Sequence, residues 1–253
     1  MKSKDGITRI CLWSGPRNIS TTLMYSFAQR DDTLVVDEPL YASYLCNTSA
    51  KEYHPGASEV IASQENDGKK VIDWMMASHS KPLVFFKNMT HHLLDLDCSF
   101  MKDVVNVILT RDPKEMIPSF VKVIENPTIN DVGYAYHTEL QSYFEENNIP
   151  YIVLDSKLIL QNPKGVLQQF CELIGVSFDE NMLQWEKGPR KEDGVWAKYW
   201  YNNIHDSTGF MEYKPKSERF PDRYQELLSS CKGHYKQLII KALRYVVVNY
   251  LFM

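Results

Sequence analysis

Short apolar runs recur along the first two thirds of the chain, each rich in β-branched or aromatic residues and bounded by polar or turn-forming residues. Runs of this length and composition are typical of β-strands that are buried on both faces. The pattern therefore predicts five strands, at Arg9–Trp13, Thr33–Val36, Leu83–Phe86, Val105–Leu109 and Tyr151–Leu154.

The stretches between these strands carry apolar residues at helical spacing. Within 164–175 one face collects Val166, Leu167, Phe170 and Ile174, and Gly175 supplies a stop. A similar stripe in 135–147 consists of Tyr136, Leu140, Tyr143 and Phe144.

Buried strands that alternate with helices predict a doubly wound α/β fold, with a mostly parallel sheet of about five strands flanked by helices. From about residue 179 the strand pattern fades, and helices with Trp- and Tyr-rich loops follow. We interpret this part as a helical C-terminal extension of one domain covering residues 1–253. In such sheets ligands bind beyond the carboxyl ends of the strands, so we expect the functional residues there.

Composition excludes several classes of protein. With 44% hydrophobic and 24% charged residues the chain is not globally disordered. A formal net charge of −4 argues against a nucleic-acid partner, although it is compatible with one local basic pocket for a small anion. Five scattered cysteines without CxxC spacing indicate reduced thiols, and no metal-ligand cluster is visible.

The ends of the chain bear on its location. The polar start lacks the pattern of a signal peptide, and the apolar C-terminal stretch 245–253 is too short to span a bilayer. We expect this stretch to pack on the core as a last helix or strand. These observations predict a cytoplasmic protein without a membrane partner and leave the oligomeric state open.

The loop after the first strand predicts an anion site. Ser/Thr-rich residues open a helix there, so that backbone N–H groups and the positive helix end point at one place. The alternative is a plain Ser/Thr N-cap. The loop is not a Walker A motif, because that motif, counted from Gly15, would require Gly and Lys where the chain has Ser20 and Thr21.

A second anion site is predicted after the fourth strand. Arg111 follows the strand end, Asp112 can cap the next helix, and Pro113 suits its first turn. Ser119 lies eight residues after Arg111, about two helical turns along, where its hydroxyl could join the guanidinium on a phosphate. The alternative is that Arg111 only pairs with Asp112 or Glu115.

Together these segments resemble the PAPS-dependent sulfotransferase family, whose donor is 3′-phosphoadenosine 5′-phosphosulfate. The family's first loop, Pro-(Arg/Lys)-Ser-Gly-Thr-Thr, is similar to Pro16, Arg17, Asn18, Ile19, Ser20 and Thr21. Its Arg-Asp-Pro segment followed by Ser is similar to Arg111, Asp112, Pro113 and Ser119, and 154–175 resembles its late strand and helix. Ile19 stands where the family usually has Gly, and a positive φ would be costly for a β-branched residue there.

The resemblance implies roles for these residues. The first loop, with Arg17, Ser20 and Thr21, would hold the 5′-phosphate, and Arg17 would also stabilise charge on the leaving oxygen. Arg111 and Ser119 would hold the 3′-phosphate. The resemblance implies PAPS as donor, PAP as product, no metal, and a small-molecule acceptor.

Candidates for the catalytic base lie after the second and third strands. His91 and His92 follow Lys87 in a stretch similar to the Lys-Thr-His of cytosolic-type sulfotransferases, and we favour His91. The rival is Glu38, in a Glu-Pro pair that other sulfotransferases share, with the alternative that Glu38 holds Arg17 or an acceptor amine. Lys87 is placed next to the transferring group.

A late basic segment resembles the family's Arg-Lys-Gly loop, which closes over the 3′-phosphate. Arg190 and Lys191 would provide the basic groups of such a lid, and the alternative is a solvated turn. The aromatic residues that follow could line an acceptor pocket or pack the extension: Trp196, Tyr199, Trp200, Tyr201 and Phe210.

The sequence therefore predicts an enzyme that transfers a sulfuryl group from PAPS to a hydroxyl or amine of a small molecule by in-line displacement. Two alternatives remain open. One is a P-loop-type small-molecule kinase or NTPase, which the missing Walker lysine disfavours. The other is a catalytically silent nucleotide-binding module.

Overall fold

A computed structural model describes residues 6–215 and 219–244 of the chain. Five strands form one sheet: β1 (Thr8–Ser14), β2 (Thr33–Asp37), β3 (Leu83–Met89), β4 (Val105–Thr110) and β5 (Tyr151–Asp155). All neighbouring strands are parallel, in the order β2-β3-β1-β4-β5. The predicted strands and the parallel doubly wound sheet are confirmed.

Twelve α-helices connect and follow these strands within the described residues: α1 (Ser20–Phe27), α2 (Tyr41–Cys46), α3 (Ala57–Ser63), α4 (Gly68–Met76), α5 (Pro113–Phe120), α6 (Ile129–Val132), α7 (Tyr134–Glu146), α8 (Ser156–Gln161), α9 (Pro163–Ile174), α10 (Ala197–Trp200), α11 (Asn202–His205) and α12 (Gln225–Ile239). Short 3-10 helices cover Ser49–Glu52, Thr90–His92, Cys98–Asp103, Glu180–Leu183 and Asp222–Tyr224.

Both faces of the sheet are buried, because alternate side chains of each strand enter different cores. On one face, strand residues such as Ile10 and Leu12 pack with α1, α8 and α9. On the other, Cys11 and Trp13 pack with α4, α7 and α12. Helices on both sides explain why the strands have apolar runs instead of an alternating pattern.

Helix α9 agrees with its predicted stripe and ends at Gly175, which has φ 73°. Helix α7 differs in part. Tyr136 and Tyr143 are only half-buried, and the polar side chains of His137, Thr138 and Gln141 are buried instead. The apolar pattern missed them because their burial depends on tertiary contacts: His137 lies beside Gly15 of the loop after β1, and the Thr138 hydroxyl hydrogen-bonds His234 of α12.

After residue 179 the described part of the chain contains short helices, α12 and isolated bridges, as the predicted helical extension requires. None of the helices in the two described ranges has the length and apolarity that a bilayer crossing needs. The packing expected for 245–253 concerns residues outside the described ranges.

Candidate active site

A cavity of about 380 Å³ opens at the carboxyl ends of the strands. The loop between β1 and α1 and residues at or after the ends of β2, β3 and β4 line it, because parallel strands end at one edge. Residues of the late segment 196–211 also line it. The structure thereby brings together Arg17, Lys87 and Arg111 in a chain of negative net charge. The remaining predicted residues on its walls are Pro16, Asn18, Ile19, Ser20, Thr21, Glu38, His91, His92 and Ser119.

The loop between β1 and α1 has an unusual backbone. Ile19 is the N-cap residue of α1 with φ 61°, and no side chain caps the helix, so the alternative of a Ser/Thr N-cap is wrong. Arg17 has φ 58°, and Glu38 across the cavity has φ 39°. A left-handed conformation costs a residue other than glycine about 1–2 kcal/mol. Three of the five such residues in the described ranges line this cavity, which indicates that strain is concentrated at a functional site.

Hydrogen bonds from the neighbouring segments fix this loop. The buried Asn18 amide donates to the Leu109 carbonyl of β4 over 3.1 Å, and the Ser156 hydroxyl donates to the Asn18 carbonyl over 2.9 Å. These bonds hold the loop in its strained form and leave the uncapped first turn of α1 on the cavity wall. An uncapped helix start offers backbone N–H groups to an anion.

The basic side chains meet between the loop and α5. Arg17 Nε donates to Ser119 Oγ over 3.0 Å and its Nη1 to the Trp200 carbonyl over 3.0 Å. Arg111 Nη1 donates to the Arg17 carbonyl over 3.0 Å. Burial and the nearby Arg111 both lower the pKa of Arg17, and no carboxylate of the described residues pairs with Arg17. Positive charge here therefore lacks a full internal counterion.

Arg111 forms an ion pair with Glu115, one of the two partners that the alternative interpretation names, at 3.4 Å between Nη2 and Oε2. Asp112 is not its partner, because the Asp112 carboxylate caps α5 by accepting from the Lys114 N–H. Arg111 Nε is buried and has no hydrogen-bond partner among the described residues. The guanidinium thus retains an unused donor at the cavity wall.

A buried ionic network fills the edge between β2 and β3. Lys87 Nζ lies 2.8 Å from Asp37 Oδ1, 2.5 Å from Glu38 Oε1 and 2.6 Å from the Tyr201 hydroxyl. The Tyr201 hydroxyl donates to Asp37 and accepts from Trp196 Nε1 at 3.2 Å. The network ties the late segment of the chain to the strand ends.

Electrostatics in this network follow from burial and pairing. Burial alone would lower the pKa of Lys87, but Asp37 and Glu38 outweigh it and hold that pKa well above its usual value. Burial raises the pKa of Glu38 to about 6, against the opposing effect of Lys87. Lys87 is therefore charged at neutral pH, and Glu38 titrates close to neutrality.

The sequence does not predict Asp37 as a site residue, and Tyr201 is expected only as part of an aromatic stretch that lines an acceptor pocket or packs the extension. Asp37 lies directly opposite Lys87 in the pairing of β2 with β3, a relation that could be found once the strand order is known. Tyr201 is distant in sequence from every strand end, so only the path of the late segment brings it here.

The histidines line the cavity as part of a packed aromatic cluster. His92 stacks on Tyr41 at 4.9 Å and on Tyr44 at 4.6 Å between ring centroids. Burial lowers the pKa of His91 to about 3 and that of His92 well below its usual value. Both imidazoles are therefore neutral at pH 7 and are weak bases.

The late basic residues lie apart from this cavity. Arg190 stacks its guanidinium 5.4 Å from the ring centre of Tyr25, and Lys191 is exposed. Neither is among the described residues that line the cavity. The segment is held to β2 by Gly194, whose N–H donates to Asp37 at 3.2 Å, and to α1 by Asp193, which accepts from Tyr25 at 2.8 Å.

Some residues of the aromatic stretch line the cavity, and the others pack elsewhere in the extension. Trp196, Trp200 and Tyr201 line the cavity, whereas Tyr199 contacts Glu59 near the surface and Phe210 packs on Trp185. Within the described ranges, His, Cys, Asp and Glu side chains form no group that could hold a metal ion.

The chain is similar to known proteins over most of its length. The family model described as "Sulfotransferase domain" matches residues 8–242. The chain belongs to the sulfotransferase family. Two solved sulfotransferases share its fold with a TM-score of 0.52 each. The "Sulfotransferase Domain from the Curacin Biosynthetic Pathway" is 16% identical, over 88% of this chain and 97% of that one. The sulfotransferase from Alicyclobacillus acidocaldarius is 12% identical, over 92% and 96%.

Two Arabidopsis thaliana proteins are similar in sequence. "Branched-chain-amino-acid aminotransferase-like protein 2" is 36% identical over 89% of this sulfotransferase-family chain, and "Branched-chain-amino-acid aminotransferase-like protein 1" is 38% identical over 85%. The chain spans only 40% and 39% of their lengths. More than half of each relative therefore lies outside the segment that it shares with this chain.

Proposed function

We propose that the chain transfers a sulfuryl group from PAPS to a hydroxyl or amine of a small-molecule acceptor. One observation carries the proposal: in a sulfotransferase-family chain, the uncapped α1 start and the Arg17–Ser119–Arg111 group share one wall of the strand-end cavity. The fold and the family support sulfuryl transfer in general. The donor's identity, the acceptor class, the cytoplasmic location and a single domain over 1–253 stay predictions.

The donor site would use two sets of groups. The first-turn amides of α1, with Arg17, Ser20 and Thr21, would hold the 5′-phosphosulfate. Arg111 and Ser119 would hold the 3′-phosphate, and the unused Arg111 Nε fits an anionic ligand at this position. Arg190 and Lys191 would join only if the late segment moved, since the structure holds them outside the cavity lining.

In the proposed reaction the acceptor oxygen or nitrogen forms a bond to sulfur while the sulfur–oxygen bond to the 5′-phosphate breaks. Negative charge develops on the departing phosphate oxygen, and Arg17 would stabilise it. The acceptor proton passes to a base on the protein. Lys87 lines the same cavity, but two carboxylates already neutralise it, so we assign it chiefly to holding Glu38 in place.

Of the three candidate bases we favour Glu38 over His91 and His92. A general base is most effective when its pKa is near the working pH. The Glu38 pKa of about 6 satisfies this condition, whereas the His91 pKa of about 3 makes that imidazole a weak base.

The pH dependence of kcat/KM distinguishes these bases. Only the carboxylate form of Glu38 accepts a proton, so we expect kcat/KM to be constant above about pH 7 and to fall tenfold per pH unit below about 6. Glu38→Gln should remove this limb together with most activity. A profile that stays flat from pH 5 to 8 would instead assign the base to a group of much lower pKa, such as His91.

The function itself is tested by transfer of radiolabelled sulfate from PAPS to a panel of phenols, alcohols and amines, without added metal. We expect a labelled product and one PAP released per transfer, and Ser119→Ala should raise the KM for PAPS. PAP binding without transfer to any member of the panel would support the silent nucleotide-binding module. A requirement for Mg-ATP would support the kinase alternative. The sequence disfavours that alternative, because the chain has Ser20 and Thr21 where the Walker motif has Gly and Lys.

A further inference from the structure

A second cavity, of about 720 Å³, adjoins the first. It lies between the end of α2 with the following 3-10 helix and the segment that joins α5 to α7. His91 and Asp131 line both cavities and so form their common wall. The second cavity therefore lies next to the proposed site of sulfuryl transfer.

The two cavities differ in charge. The first is lined by Arg17, Lys87 and Arg111, whereas the described lining of the second includes no Lys or Arg. Its carboxylates are Asp131 and Glu125. Such a site disfavours a polyanionic nucleotide and favours a neutral or cationic ligand.

Asp131 carries the negative charge of the common wall. It is 7% exposed and accepts hydrogen bonds from the Tyr53 hydroxyl at 2.8 Å and from the N–H and hydroxyl of Thr128, both at 2.7 Å. None of these donors is charged, and no cation of the described residues forms an ion pair with Asp131. Glu125, in contrast, lies 3.7 Å from Arg223.

Aromatic rings and one imidazole complete the second cavity. Tyr44, Tyr53 and Tyr136 line it, and aromatic faces attract ammonium groups. His91 is 5% exposed, and its Nδ1 has no hydrogen-bond partner among the described residues. A buried polar atom without a partner on the wall of two cavities indicates a place for a ligand group.

We infer that the second cavity binds the acceptor, and that the acceptor is a small molecule with an ammonium group as well as the hydroxyl or amine that receives the sulfuryl group. The ammonium group lies against Asp131 and the tyrosine rings, and the nucleophile reaches past His91 into the first cavity. This inference rests on the proposed function. An acceptor that places a carboxylate beside Asp131 is rejected by charge repulsion.

The test compares three probes of similar shape that differ in charge: tyramine, para-ethylphenol and para-hydroxyphenylacetate. Their binding to the PAP-saturated protein is measured by calorimetry. We expect tyramine to bind at least about tenfold more tightly than either other probe, the range that a desolvated cation–aromatic contact supplies. Asp131→Asn should remove most of this preference, and the exposed Glu146→Gln is the matched control that should leave it unchanged.

Asp131 also caps α6, so a second variant is needed if Asp131→Asn unfolds the protein. Tyr136→Leu removes a half-buried ring and should lower tyramine affinity severalfold. Unchanged PAP affinity in each variant shows that the donor site is intact. Two results would overturn this inference and leave the proposed function intact. One is PAP binding without tyramine binding, and the other is equal tyramine binding by the unaltered protein and all variants. Absence of PAP binding in the unaltered protein overturns the proposed function itself.

Discussion

Replacing Lys87 with Met is expected to lower the free energy of unfolding by about 3–5 kcal/mol and to abolish sulfuryl transfer. Lys87 is the only cation that the described structure places against both Asp37 and Glu38, at 2.8 and 2.5 Å. Its loss leaves two carboxylates buried without a counterion, which is far more costly than losing an exposed ion pair. Urea denaturation at pH 7 measures the change.

Activity should be lost by a related route. Lys87 lowers the pKa of Glu38, so its removal raises that pKa further and protonates the proposed base at neutral pH. The exposed Lys81→Met, just before the same strand, is the matched control and should change stability by less than about 0.5 kcal/mol. A second variant, Lys87→Met with Glu38→Gln, should recover part of the lost stability, because one uncompensated charge is then removed. Equal stability of Lys87→Met and the unaltered chain would contradict the ionic network.

Much of the fold could be predicted because the strands are buried on both faces. That burial requires β-branched and aromatic residues such as those in β1 and β3, and it leaves a clear pattern in the sequence. Arg17 and Arg111 could be placed at one edge for the same reason, since each follows the end of a parallel strand. That the two side chains also meet depends on one further relation, which is that β1 and β4 are neighbours in the sheet.

Other features depend on tertiary contacts that no local pattern records. Ile19 takes a positive φ despite its branched side chain, because Asn18 and Ser156 tie the loop to β4. Arg190 stacks on Tyr25, away from the cavity, since Asp193 holds the late segment there. The sequence shows that this segment is basic, but it does not show that the basic side chains lie away from the cavity.

Arg111→Ala is the second change with a large expected effect. If Arg111 holds the 3′-phosphate, its removal should weaken PAP binding at least about 30-fold, since truncating one member of a close charge pair costs about 2 kcal/mol or more. Binding of adenosine 5′-monophosphate, which lacks that phosphate, should change little. Lys114→Ala on the same helix is the matched control, because Lys114 is exposed.

The most direct test of the proposed donor site is calorimetric titration of the unaltered protein and Arg111→Ala with PAP, adenosine 5′-monophosphate and Mg-ATP. We expect the unaltered protein to bind one PAP per chain without metal, at least about 30-fold more tightly than adenosine 5′-monophosphate, and Arg111→Ala to remove this difference. Equal binding of the two nucleotides to the unaltered protein, or a preference for Mg-ATP, would contradict the proposed donor site.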